Sequence, residues 1–190
     1  MIGNKTKGFT LIEILITMSL FAVIITGAVN LFSSIIKEQR RVLAFQSISS
    51  NASYTLEYIS RVLRMAKKDI DGACLESLDG YNFATYSDDT EIRFLDYHGN
   101  CHAFLLDNNQ IKEKKSTDET AGNLGESVSL TPDNILEITN LKFIIEGENQ
   151  EDEIQPKVTM AFTIKTKQPL ERQEMKLQTS ISQRDLDVQY

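Results

Sequence analysis

The sequence predicts an α+β fold in which one long N-terminal helix packs against a C-terminal antiparallel β-sheet. The first observation behind this prediction is an apolar run without any charge from Ile14 to Ile36. The second is an apolar stripe with helical spacing that continues beyond the run, with no proline anywhere in residues 9–71. The third is a change, from residue 81 onward, to period-two alternation with turn residues between the runs, which is typical of consecutive strands.

The apolar run is long enough to cross a membrane, because a helical span needs about 20 mostly apolar residues. Glu13 lies at its start, and a carboxylate at membrane depth costs roughly 2.5–3.5 kcal/mol, which makes it a candidate functional residue. Cleavage between Gly8 and Phe9 would create an α-amine about one helical turn before Glu13. A neighbouring copy shifted by one turn would then pair its amine with this carboxylate.

This N-terminal segment resembles the prepilin-type signal of type IV pilins and type II secretion pseudopilins. The resemblance rests on the basic residues Lys5 and Lys7, the Gly8–Phe9 pair, Glu13 and the long apolar helix that follows. It implies that prepilin peptidase cuts on the cytoplasmic side after Gly8 and methylates Phe9. It also implies that Glu13 pairs with the terminal amine of a neighbouring subunit, and that the fold is pilin-like.

Two plainer interpretations of the N-terminus compete with this one. An ordinary secretory signal peptide has an apolar core of about 7–15 residues followed by a small-residue cleavage site, and the run here is much longer. A simple signal anchor would make Glu13 incidental. Charge does not decide the orientation, because basic residues flank the run on both sides, so a cytoplasmic N-terminus rests on the motif alone.

Four segments are predicted: a leader peptide at residues 1–8, a transmembrane half-helix at 9–36, an amphipathic half-helix at 37–72 and a β-rich domain at 73–190. The helix is expected to end near Asp71–Gly72, where glycine can adopt the left-handed cap. The stripe that the sheet should cover comprises Phe45, Ile48, Ala52, Leu56, Ile59, Val62, Leu63, Ala66 and Ile70. The predicted strands are 91–97, 101–106, 110–115, 135–146, 157–167 and 171–184, with a loop at 116–129.

The two cysteines are Cys74 and Cys101. A disulfide between them is permitted if the domain lies outside the cytoplasm, and it would close a loop of about 27 residues that adds roughly 3 kcal/mol of stability. Two unpaired thiols are the alternative. Major pilins of the family often carry a disulfide near the C-terminus, and no cysteine follows Cys101, so the resemblance favours a minor pilin or a pseudopilin.

Charge is divided unevenly along the chain. Residues 37–68 carry seven basic and two acidic side chains, whereas residues 69–190 carry 11 basic and 24 acidic ones. The acidic domain is therefore not expected to bind nucleic acid, which needs a basic surface. The basic half-helix could face DNA, acidic neighbours or anionic lipid, or be a solvated surface.

Signals for catalysis are poor, and no enzyme activity, cofactor or metal is predicted. The sequence has no phosphate-binding glycine loop, no HExxH and no GxSxG. His98, Cys101 and His102 surround one turn, but three such ligands on a hairpin make a weak metal site. Acidic clusters at 88–91 and 148–153 lack the spacing of a calcium loop and are better explained as solvated.

The function predicted from these features is that of a structural subunit in a type IV pilus, type II secretion or DNA-uptake filament. Its expected partners are other pilin or pseudopilin subunits, prepilin peptidase, an inner-membrane assembly platform and membrane lipid. It would be a single-pass membrane protein with a cytoplasmic N-terminus and an extracytoplasmic soluble domain. The alternative is a membrane-anchored binding domain that does not polymerise.

Overall fold

A computed structural model describes residues 8–76, 78–117, 124–148, 154–167 and 173–184. The described chain contains one α-helix, α1, at Leu11–Arg64, followed only by strands. The strands are β1 Ala84–Tyr86, β2 Glu91–Leu95, β3 Cys101–Asp107, β4 Gln110–Lys115, β5 Val128–Ser129, β6 Leu136–Glu146, β7 Lys157–Thr166 and β8 Glu174–Ser182. This arrangement confirms the predicted α+β class.

The chain divides into two compact units, Met1–Leu43 and Ala44–Tyr190. The described part of the first unit consists mainly of the apolar beginning of α1, whose side chains are almost all exposed. Three hydroxyl groups within this stretch donate to carbonyl oxygens three or four residues earlier in the same helix, namely those of Thr17, Ser19 and Thr26. Because these polar groups are satisfied inside the helix, the apolar surface can lie in lipid without leaving them unpaired.

In the second unit, α1 supplies one side of the hydrophobic core. Ile48, Ala52, Ile59 and Leu63 recur at steps of four or seven residues and are all buried, as expected for one face of a helix. Both sheets contribute most of the remainder of the same core cluster, including Phe94, Phe104, Ile111, Phe143, Met160 and Ile164.

The predicted end of the helix near Asp71–Gly72 is wrong, because α1 ends at Arg64. After that residue the chain becomes extended, and the Lys67 and Asp69 amides donate to the carbonyl oxygens of Leu95 and Tyr81. Pairing with these segments replaces further helical turns. Ile70 consequently does not belong to the apolar stripe and is 74% exposed.

The strands form two antiparallel sheets, not the single sheet that was predicted. The first has the order β1-β2-β3-β4-β5 and the second the order β6-β7-β8. At β6 the register shifts between Thr139 and Lys142, which indicates a β-bulge. Two amides of β6 donate to carbonyl oxygens in turns of the first sheet, those of Asn109 and Asp89, so β6 lies beside that sheet without joining its ladder.

The predicted strands are largely confirmed, and their differences have local causes. β4 has the predicted bounds. β2 stops at Leu95, two residues before its predicted end. It stops there because the Asp96 carboxylate accepts hydrogen bonds from the His98 and Asn100 amides and so closes a turn. Strands β1 and β5 were not predicted, since both are too short to show alternation. Three segments named in the sequence analysis lie wholly or partly outside the described residues: the predicted 116–129 loop in part, the acidic segment 149–153, and the predicted start of β8 at 171–172.

Candidate functional site

The start of α1 is fixed by a capping interaction that the sequence analysis missed. The Glu13 amide donates to Thr10 Oγ1 at 3.3 Å, so Thr10 is the N-cap and Glu13 occupies the third helical position. Thr10-Leu11-Ile12-Glu13 has the spacing of a capping box, a signal that was available in the sequence. The helix therefore begins at Leu11, two residues later than the predicted start at Phe9.

Glu13 lies in the first turn of α1, and its side chain is exposed. An acid at this position interacts favourably with the unpaired amides of the helix N-terminus. No basic side chain occurs between Glu13 and Lys37, so within the apolar stretch the chain itself offers this carboxylate no cationic partner from a side chain.

The predicted cleavage residues directly precede the helix, in a segment without regular structure. Phe9 is 77% exposed. A Cβ atom added to Gly8 would meet nothing within 4 Å. The fold therefore places no steric demand for glycine at this position, and a requirement for Gly8 would have to come from another molecule. Lys5 and Lys7 of the predicted leader lie outside the described residues.

The apolar surface that follows Glu13 is long enough to span a membrane. By length and composition α1 is the one such helix among the described residues, and none of its most apolar window is buried. Phe21 and Leu31 are 60% and 68% exposed, respectively. Exposed apolar surface on this scale marks contact with lipid or with other proteins.

Comparison with known proteins gives one finding at this segment. The family model described as the prokaryotic N-terminal methylation motif matches residues 3–29. The chain carries the prepilin-type motif. With one long apolar N-terminal helix followed by antiparallel sheets, its architecture is pilin-like. No curated protein and no solved structure matches the chain.

The two cysteines lie in the second unit, where a disulfide joins Cys74 to Cys101 with their Cα atoms 5.3 Å apart. It connects the segment after α1 to the start of β3. The buried carboxylate of Asp69 accepts hydrogen bonds from the amides of Cys74 and Leu75, each at 2.9 Å, and so orders the turn that presents the first cysteine.

A polar cluster, in which His102 and Asp96 are buried, lies between α1 and the first sheet. The Tyr58 hydroxyl donates to Glu113 Oε1 at 2.7 Å, and His102 Nε2 contacts the same oxygen. On the other side of the imidazole, Asp96 Oδ2 is 4.0 Å from His102 Nδ1 and 2.7 Å from Lys115 Nζ. These contacts join residues from α1, β3, β4 and the β2–β3 turn.

The hydrogen bonds of this cluster oppose the effect of burial on its carboxyl groups. Burial alone would raise the pKa of Glu113, but the hydrogen bonds from His102 and Tyr58 hold that pKa below its ordinary value. The pKa of Asp96 is lowered in the same way: burial opposes the shift, and bonds from Lys115 and the Asn100 amide outweigh it. Burial, with the bond to Glu113, raises the pKa of Tyr58.

The residues considered for metal binding are not arranged as a metal site in the described part of the chain. Cys101 is bonded to Cys74 and is therefore not available as a thiolate ligand. The Nε2 atom of His102 is in hydrogen-bond contact with Glu113 Oε1. Within the described ranges, no group of three or more histidine, cysteine or acidic side chains could hold a metal ion.

Proposed function

We propose that this chain is a minor pilin or pseudopilin, a structural subunit that is cleaved between Gly8 and Phe9 and assembled into a filament. The observation that carries the proposal is the position of Glu13. It is the single acid at the start of an exposed apolar helix and lies one turn after the proposed new N-terminus. The match to the methylation motif covers the same residues.

Cleavage and pairing would act together. Removal of residues 1–8 leaves the α-amine of Phe9, which the peptidase then methylates without removing its basic character. In lipid, an unpaired carboxylate and an unpaired amine are both costly, because the surroundings solvate charge poorly. Pairing of Glu13 with the amine of the next subunit relieves both costs and favours a register in which neighbouring helices differ by one turn.

The second unit would then face away from the membrane on the extracytoplasmic side. A disulfide between Cys74 and Cys101 is compatible with this location, since disulfides persist in oxidising compartments. The acidic surface of the second unit would contact other subunits and not nucleic acid.

The test is the N-terminal mass of the chain recovered from membranes of cells with an active or an inactivated prepilin peptidase. We expect a peptide that begins at Phe9, with one added methyl group, only with the active enzyme. An intact Met1 in both strains would contradict the proposal and would favour a membrane-anchored binding domain that does not polymerise.

Glu13→Ala tests the assembly step separately from processing. We expect normal cleavage at Gly8 but loss of filament incorporation, measured by co-sedimentation with sheared filaments. Glu38→Ala is the matched control, because Glu38 is an exposed acid on the same helix that pairs with Arg41 at 3.7 Å. Equal incorporation of both variants would refute the role given to Glu13.

A further inference from the structure

A polar and cationic face lies at the end of the apolar stretch of α1, within the first unit. It comprises Ser33, Ser34, Lys37, Arg40 and Arg41, which follow one another at steps of one or three residues. With about 3.6 residues per turn, these positions fall within roughly 120° of the helix circumference. All five side chains are exposed. One side of the helix therefore presents two hydroxyl groups and three cations together.

The distance along the helix places this face at the lipid headgroups of a membrane that α1 crosses. The hydrocarbon core of a bilayer is about 30 Å thick, which a helix crosses in about 20 residues. Counted from Ile14, this length ends at Ser33. Lys37 then lies about 6 Å further along the axis, within a headgroup layer about 5–8 Å thick. Arg40 and Arg41 lie about 10–12 Å beyond Ser33, and their long side chains can reach back into the layer.

The hydroxyl groups of this face differ from those deeper in the helix. Thr17, Ser19 and Thr26 donate to backbone carbonyl oxygens of α1. In the described part of the chain, the hydroxyls of Ser33 and Ser34 have no hydrogen-bond partner. Each therefore keeps its O–H donor for an acceptor outside the chain, and phosphate oxygens are acceptors of this kind.

The cations of this face are weakly paired. Across the described ranges, Lys37 and Arg40 form no ion pair. Arg41 pairs with Glu38 at 3.7 Å, but the two side chains are 63% and 66% exposed, and such pairs contribute little to stability. Residues 14–56 carry three basic side chains and one acid, a net charge of +2. An anion can therefore bind here without displacing a strong partner.

Membrane topology does not account for these cations. Near membrane spans, Lys and Arg favour the cytoplasmic side, where they help to set the orientation. In the proposed orientation Lys37, Arg40 and Arg41 lie on the opposite side and work against it. An anionic headgroup does account for them, because each cation near an anionic lipid surface gains binding free energy.

We propose that this face binds the headgroup of an anionic phospholipid. The hydroxyls of Ser33 and Ser34 donate to oxygens of the phosphate, and Lys37, Arg40 and Arg41 neutralise its charge. A zwitterionic headgroup carries its own cation and gains less from this face. The inference goes beyond the proposed function and rests only on its membrane-spanning helix.

The test uses tryptophan fluorescence. The chain contains no tryptophan, so Ile36→Trp supplies a single reporter one residue before Lys37. The full-length chain is placed in phosphatidylcholine nanodiscs that contain increasing fractions of brominated phosphatidylglycerol or brominated phosphatidylcholine, which quench tryptophan on contact. We expect phosphatidylglycerol to bind at least about five-fold more tightly, since each nearby cation adds to the attraction for anionic lipid.

Two double variants of the reporter chain assign this preference to the proposed face. Lys37→Gln/Arg40→Gln should reduce it to less than about two-fold, because one paired cation remains. Arg61→Gln/Arg64→Gln is the matched control, since it removes two cations from the last turn of the same helix, and it should leave the preference unchanged. Raising the salt concentration from about 0.05 to about 0.5 M should also weaken the preference by screening. The salt series needs no charge substitution, so it tests the same cations if the double variant fails to insert.

The outcomes separate this proposal from the proposed function. Equal quenching by the two brominated lipids, a preference that Lys37→Gln/Arg40→Gln retains, or a preference that salt does not change would overturn the lipid proposal alone. No quenching by either lipid would place position 36 outside the bilayer and would overturn both proposals. An uncut N-terminus in cells, together with the expected lipid preference, would overturn the proposed function alone.

Discussion

Removal of the disulfide should destabilise the second unit by an amount that the loop length sets. Cys74 and Cys101 are 27 residues apart, and both are fully buried. In the chain-entropy model, closing a loop of this length lowers the entropy of the unfolded chain enough to stabilise the fold by about 3.5 kcal/mol at 25 °C. We therefore expect the double variant Cys74→Ala/Cys101→Ala to lose about this much free energy of unfolding.

The assay is urea unfolding of the full-length chain in detergent micelles, followed by near-ultraviolet circular dichroism, which reports the tyrosine-containing second unit. With an m-value of about 2 kcal/mol/M, the midpoint should fall by about 1.7 M urea. Each single variant should lose a similar amount, because either one opens the loop. A loss below about 1 kcal/mol, or free thiols detected by mass in the wild-type chain isolated without reductant, would refute the reasoning.

Three further predictions concern the polar cluster, the cysteine turn and the proposed cleavage site. Stability should fall as the pH drops below about 4.5, because Glu113 and Asp96 have folded-state pKa values below their ordinary ones and contribute stability only when ionised. Tyr58→Phe should reduce this dependence, measured by urea unfolding between pH 3 and 7. Asp69→Ala should cost about 2–3 kcal/mol in the same assay, since it leaves two buried amides without an acceptor, and a loss under 0.5 kcal/mol would contradict this. Gly8→Leu should leave the unfolding curve unchanged, because its side chain has space, yet block removal of the leader as read by N-terminal mass.

Features that depend on neighbours in the sequence were predictable. The motif around Gly8, Phe9 and Glu13 needs no tertiary contact to be recognised. The buried face of α1 followed from helical spacing, and β4 from the turn residues that flank it. In each case the information lies within a few residues, so periodicity and local composition were sufficient.

Features that depend on competition between distant segments were not predictable. The helical pattern continues to Ile70, but α1 ends at Arg64 because Lys67 and Asp69 find backbone partners in segments that follow. The separation into two sheets likewise depends on distant residues, because two amides of β6 donate to carbonyl oxygens in turns of the first sheet. Hydrophobic spacing carries no information about which of two possible hydrogen-bond partners a backbone amide will choose.

The sequence by itself determined the long apolar helix, the single acid at its start and the prepilin-type motif, because each is a pattern of neighbouring residues. Only the tertiary structure decided that Tyr58 and Glu113, 55 residues apart, meet beside His102. The physical reason is that a local pattern determines which side of a helix or strand a residue lies on. Which residues of other elements it contacts is determined only by how those elements pack.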